Sequence, residues 1–343
     1  MTDIYDAAVI GAGPSGASFS RLAGQLGMRV LLLDGQKHSK PCGGLLAPDA
    51  QKALARYRLT LPKDILVDPQ IFAVRTIDVA AELERCYQRM YINLDREKFD
   101  RWLKMLASEK AELRTLSCRK IERENGAFTL TLSDGSTVRA KNIVGADGAN
   151  SFVRRTFFPK LETRVYTAVQ QWFPAGKTNP FYSCIFDAET SDCCSWSIFK
   201  DNSFIFGGAF APDGCRESFE RQKLRLKKFG FSFGEPEKTE ACLVLRPKSL
   251  KSFRCGADGI YLIGEAAGFI SPSSLEGISS AFCSANALAE AFASGKNVLR
   301  EYERGTLSLR LRLSSKNLKC PFMYAPALRR LVLASGIASI DVY

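Results

Sequence analysis

Six residues near the start of the chain, Gly11-Ala12-Gly13-Pro14-Ser15-Gly16, constrain its fold more than any other stretch. A short apolar run from Tyr5 to Ile10, ending on β-branched Val9 and Ile10, precedes them and reads as a strand. After them Ala17, Phe19, Leu22, Ala23 and Leu26 recur with helical spacing, Gly27 breaks the pattern, and a second strand from Arg29 to Leu33 ends on Asp34. Strand, glycine turn, helix, strand and acid in that order form a dinucleotide-binding unit. Gly11 permits the tight turn, Gly13 lets a pyrophosphate approach the backbone, and Gly16 allows close packing of helix on strand. Pro14 and Ser15 open the helix, whose first N–H groups and positive dipole face the phosphates. Asp34 is placed to accept from ribose hydroxyls.

With 343 residues, 46% of them apolar, the chain can bury one large core or two small ones. No run approaches the ~20 apolar residues of a membrane span, and the chain enters a strand directly instead of a charged and then apolar leader. The expectation is a cytoplasmic protein. Its eleven cysteines are odd in number, scattered and free of Cys-x-x-Cys, so neither a disulfide framework nor a zinc site is indicated, and no metal is expected. The net charge of +12 is concentrated late, from Lys296 to Arg330. Such a stretch is a solvated helix face or meets something acidic. No nucleic-acid-binding motif accompanies it. Apolar residues interleaved with the charges, Leu307, Leu309, Leu311 and Leu313 among them, suit peripheral contact with a membrane surface.

Two later segments carry a family resemblance. Lys141-Asn142-Ile143-Val144-Gly145-Ala146-Asp147-Gly148, continuing to Arg154, resembles the Asp-Gly motif of the flavoprotein hydroxylase and geranylgeranyl reductase superfamily. Gly259 to Phe269, with Gly264-Glu265-Ala266-Ala267-Gly268 at its centre, then Ser271-Pro272 and Leu275-Glu276-Gly277-Ile278, resembles its second flavin motif. The resemblance implies FAD as the cofactor. It implies contacts from Asp147, Gly264 and the acid at 265, and a helix beginning near Gly277 and Ile278 whose N-terminus faces the flavin pyrimidine, where a reduced flavin is negative. Glu265 replaces the usual aspartate, so that contact must shift or recruit a water. The segment from Asn93 to Asp100 is similar to the one in which an arginine reaches the flavin, which implies that role for Arg96.

Within the superfamily, Pro41-Cys42-Gly43-Gly44-Leu45 resembles the reductase branch, and its combination with Gly-Glu-Ala-Ala-Gly resembles the bacterial colicin-M-resistance-associated oxidoreductases. Cys194 to Lys200 with Phe204 to Gly208 is similar to the Trp-x-Phe-Pro-Lys element of that branch, without its proline. Trp196, Phe199 and Phe206 are therefore candidates for the wall of an apolar substrate pocket. Cys42 has two readings: a thiol beside the flavin that protonates the carbon next to the one receiving hydride, or a packing residue in a glycine turn. Gly43 and Gly44 let the backbone approach the ring. The only histidine, His38, reads as a surface residue.

The expected architecture is α/β: a Rossmann-type FAD domain (1–70, 95–160 and 252–300) interleaved with a β-rich substrate domain (71–94 and 161–251), and a helical segment, 301–343. The function implied is reduction of a double bond in an isoprenoid-like substrate. The alternative is a monooxygenase acting on an aromatic or polyene substrate. A second Gly-x-Gly-x-x-Gly is missing, so NAD(P)H would visit transiently as electron donor, or a donor protein would serve.

Overall fold

The computed structural model describes residues 4–35, 40–124, 126–175 and 180–342; His38 and its neighbours from 36 to 39 lie outside the described residues. Two eight-stranded sheets organise the chain. The first has five parallel strands in the spatial order Glu112–Arg114, Val30–Leu33, Ile4–Ile10, Thr137–Gly145, Ile260–Leu262. Ala7, Ala8 and Val9 are buried completely, as are Leu31 and Leu32. Continuous burial is what strands covered on both faces require, and it explains runs that do not alternate. The hairpin Cys118–Glu124 and Ala127–Leu132 adds two antiparallel strands beside Thr137–Gly145. Helix Pro14–Gln25 packs against helices Arg96–Ser108 and Ile278–Ala293.

Numbered along the chain, the parallel strands lie in the order three, two, one, four, five, and the direction of winding reverses between Ile4–Ile10 and Thr137–Gly145. A crevice outside the strand ends at such a reversal is where doubly wound sheets bind ligands. Gly11 and Ala146 end these two strands, and Ala146 N–H donates to Ile10 O at 2.8 Å.

The second sheet runs Lys238–Leu245, Val165–Pro174, Ser203–Phe210, Cys194–Lys200, Phe181–Phe186, Ile71–Asp78, Leu83–Asn93, Leu45–Leu46. Most neighbours are antiparallel; Phe181–Phe186 runs parallel to Ile71–Asp78. The short strand Leu45–Leu46, which the sequence places within the nucleotide-binding segment, instead pairs here with Ile92 and Asn93. Alternation divides this sheet into two faces. One buries Phe173, Phe206 and Phe210 under helix Cys215–Leu226, against Phe219 and Leu226. The other turns Trp196 and Ile198 toward the loop at Gly43, where an added Cβ would lie 2.6 Å from the Ile198 Cδ1.

The final helices are fastened to both sheets. Buried Tyr302 donates to Leu262 O at 2.8 Å, and Arg329 Nε meets Asp78 Oδ2 at 2.7 Å with both side chains almost inaccessible. Removing one partner of a buried pair leaves the other charge unsolvated and costs about 3–5 kcal/mol. We expect Arg329→Met to lower unfolding stability by about that amount in a urea titration, and Arg329→Met combined with Asp78→Leu to recover a large part of it.

Candidate functional site

The glycine turn is fixed by backbone contacts. Gly11 has φ +103°, and a Cβ there would stand 2.6 Å from Ala146 O; a Cβ on Gly16 would stand 1.9 Å from Gly11 O. Gly13 differs. Its φ is −72°, open to any residue, and a Cβ there would meet nothing within 4 Å. Of these three glycines it is the one whose added side chain would enter open space at the crevice. Helix Pro14–Gln25 begins at Gly13 with no side-chain cap and no acid in its first turn, so its N–H groups point into that space unneutralised. Gly264, at φ +58°, packs on Ser15: a Cβ would lie 2.7 Å from the Ser15 hydroxyl, which brings the second motif against the first.

Three acids face this region. Asp34 ends its strand and holds Lys104 Nζ at 2.9 Å. Asp147 accepts from Val153 N–H through Oδ2, while its other carboxylate oxygen is buried without a partner in the protein. Burial raises the Asp147 pKa, and hydrogen bonds from Ser151 and the Val153 N–H counteract part of that rise. Glu265 is engaged at both oxygens: Oε1 accepts from Leu245 N–H at 2.9 Å and Oε2 pairs with Lys40 at 2.5 Å. Its extra methylene reaches the second sheet and the loop before Cys42. Helix Ile278–Ala293 starts at Gly277 without a side-chain cap, leaving its first N–H groups available. The open place at Gly13 and the two uncapped helix starts fit the anionic phosphates of a dinucleotide, and the orphaned Asp147 oxygen fits a hydroxyl donor such as those on its sugars.

Around Cys42 the two sheets meet. Gly44 N–H donates to the Cys42 Sγ at 3.4 Å. Arg96, mostly buried and paired with Asp100 at 2.9 Å, lies beside the same sulfur; burial works against its charge, but Asp100 and Cys42 hold its pKa above the ordinary value. Behind the loop sits buried Lys200, donating to Asn93 Oδ1 and Leu94 O, each at 2.6 Å. Burial lowers the Lys200 pKa to about 8, with Cys42, Asp95 and Asp201 opposing the drop. Gly44 is obligatory between them: at φ +63°, a Cβ would fall 2.3 Å from Leu94 O and 2.7 Å from Lys200 Nζ. Lys200, Lys40 and Asn93 are absent from the set of residues read from the sequence. Lys200 was signalled only as the last residue of the Trp-x-Phe-Pro-Lys-like element.

The three aromatic residues assigned to one pocket wall separate. Trp196 pairs with Gly207 across the strands and faces the Gly43 loop, its indole N–H buried and without an acceptor in the protein. Phe206 is opposite Ser197, one residue on, and therefore points to the other face, where it stacks on Phe219 at 5.2 Å. Phe199 shares that far side and contacts Phe204 at 5.0 Å. The pleat removes Phe199 and Phe206 from the side of Cys42 and leaves Trp196.

The fold is that of the FAD-dependent hydroxylases and reductases. A geranylgeranyl bacteriochlorophyll reductase-like protein from Thermoplasma acidophilum superposes with a TM-score of 0.80 at 19% identity, covering 97% of this chain and 91% of that one. PqsL of Pseudomonas aeruginosa in complex with 2-aminobenzoylacetate gives 0.74 at 18%, covering 97% and 100%. The p-nitrophenol 4-monooxygenase PnpA of Pseudomonas putida gives 0.70 at 18%, covering both chains fully. No protein-family model matches the sequence. Protein CbrA of Escherichia coli K12 is 48% identical over 98% of this chain and 98% of its own length, and CbrA of Shigella sonnei matches to the same extent. The chain belongs to the CbrA family.

The contrast between Gly11 and Gly13 is testable. Gly13→Val should leave unfolding stability within about 0.5 kcal/mol of the parent, since no protein atom is displaced, yet weaken FAD binding at least about tenfold in a fluorescence titration. Gly11→Val should cost more than about 2 kcal/mol of stability, through positive φ and backbone overlap.

Proposed function

We propose that the chain is a FAD-dependent reductase that saturates a double bond of an apolar, isoprenoid-like substrate. The observation that carries this reading is the placement of the Cys42 thiol where the dinucleotide crevice meets the Trp196 face of the second sheet, with Arg96 alongside and Lys200 behind. When bound, reduced FAD supplies the hydride. The protein must supply a proton to the adjacent carbon, and the chain's own groups are arranged for that. Cys42 holds the proton. The Gly44 N–H and the Arg96 guanidinium stabilise the sulfur once the proton has left, because both bring positive charge to Sγ. Protonated Lys200 adds to that field and can return a proton to the thiolate. Trp196 and Ile198 line the apolar side, and the Asp147 oxygen and the two helix starts orient the cofactor. Electrons reach the cofactor from a visiting NAD(P)H or a donor protein.

Anaerobic turnover tests the reading. Protein with chemically reduced flavin, mixed with host lipid extract, should reoxidise without oxygen while a lipid gains two hydrogens by mass spectrometry. Reoxidation only after air is admitted, with an oxygenated product, would establish a monooxygenase instead. In the reductase assay Cys42→Ser should retain FAD and lose product formation by about 10²-fold or more, the typical share of a positioned acid. Lys200 is charged below its lowered pKa and neutral above it, so activity should fall as pH rises through about 8. Lys200→Met should remove that limb of the profile.

A further inference from the structure

We infer that the last two helical runs form a docking surface for an anionic lipid bilayer. Seventeen large apolar side chains are exposed among the described residues, and nine of them fall between Leu307 and Val342, about a tenth of the chain. Chance exposure scatters singly; a concentration of this kind marks a surface that is covered in use.

The geometry is amphipathic in an unusual sense. Helix Leu307–Ser315, the turn Lys316–Lys319 and helix Cys320–Tyr324 follow one another without a break. Leu309 and Leu313 are buried against the protein. Leu307, Leu311, Leu318 and Phe322, spaced by four, seven and four residues, are exposed, Leu318 at 75%. At about 100° per residue Leu307 and Leu311 lie about 40° apart and opposite the buried pair, and exposed Leu318 and Phe322 follow on the 3-10 turn and the next short helix. The helix thus has a second apolar stripe directed away from the protein. Helix Pro326–Ser335 repeats the arrangement: Leu333 and Arg329 are buried, and Leu328, Leu331 and Val332 are exposed, Leu331 at 67%, with Ile337 following at 75%.

Charge selects the occupant. From Arg304 to Ile340 the sequence contains no Asp or Glu and seven Lys and Arg residues, of which Arg329 is buried with Asp78 and Arg312 and Lys316 stand 4.0 and 3.7 Å from Asp49. Exposed Arg312, Lys319 and, on the next helix, Arg330 stand among these apolar side chains, while Arg310 is held by the Glu303 carbonyl. A second copy of the same surface would set cation against cation. Anionic headgroups complement the cations, and the acyl boundary accepts the leucines and phenylalanine. No helix among the described residues is long and apolar enough to cross a membrane, so the contact is peripheral. This inference is independent of the reductase reading, although a bilayer is also where an isoprenoid-like substrate would reside.

Flotation of the full-length protein with vesicles decides it, using phosphatidylcholine alone or mixed with phosphatidylglycerol at about two to one. We expect binding to the mixed vesicles at low salt, weakening as salt screens the cations, and at least about tenfold weaker binding for Leu318→Ser/Phe322→Ser/Leu331→Ser. That variant keeps Tyr302 and the Arg329–Asp78 pair, and its thermal midpoint and FAD content serve as controls for folding. A second variant, Lys319→Glu/Arg330→Glu, should lose the preference for anionic vesicles. Failure of the parent to float with mixed vesicles at low salt overturns the inference, as does undiminished binding by a folded triple variant. A dimer in light scattering that the triple substitution dissociates, without vesicle binding by the parent, would assign the surface to a second copy.

Discussion

Everything in this molecule is arranged around one close approach of backbone to backbone. Gly11, at the end of the first strand, lies so near the carbonyl of Ala146, at the end of its neighbour, that no side chain fits between them, and Gly16 sits still closer on Gly11 O. This contact fixes the start of helix Pro14–Gln25 at the place where the sheet reverses its winding. The crevice, the uncapped N–H groups and the open space at Gly13 all follow from it. Burial of the parallel strands on both faces supplies the cohesion that holds so tight a turn.

The second consequence is the meeting of the two sheets at Cys42. Eleven residues separate the end of the second strand of the nucleotide unit, at Leu33, from Leu45–Leu46, where the chain pairs with the other sheet. Gly44 is the hinge of this crossing, since its φ is positive and Lys200 and Leu94 press on it. The thiol is thereby held between Arg96, from a helix of the first layer, and Lys200, from a strand of the second. Glu265 ties the layers again through Lys40 and the Leu245 N–H. The length of a glutamate makes physical sense here, because one of its oxygens reaches the Leu245 N–H on the opposite sheet.

The C-terminal helices are held by their buried face and free on the other. Tyr302 and Arg329 fasten them to one sheet each, and the cost of burying Arg329 is offset by Asp78. Outward, the same helices show leucines and cations and no acid. A segment that merely capped the body would have no physical reason to keep so many apolar side chains in water.

Much of the fold was legible in the sequence because its signals are local. A glycine turn between a strand and a helix, the Asp147 turn and the Gly264 turn each need residue types that few other structures demand, and the order of these segments sets the parallel sheet. Cys42, Gly43 and Gly44 were equally visible as a cluster. What the sequence could not contain was direction across space. Period-two alternation says that Trp196 and Phe199 lie on opposite faces of a strand, but only the packed sheet shows which face meets Cys42, and it was Trp196 and not Phe199 or Phe206. Lys200 lies 158 positions from Cys42 in the chain, and the lowering of its pKa comes from burial that exists only after both layers close. The sequence determined the local turns because steric limits on φ and on backbone approach act between near neighbours; tertiary packing alone decided the partners, burial and charge around Cys42, because those depend on distances between segments that the chain order does not encode.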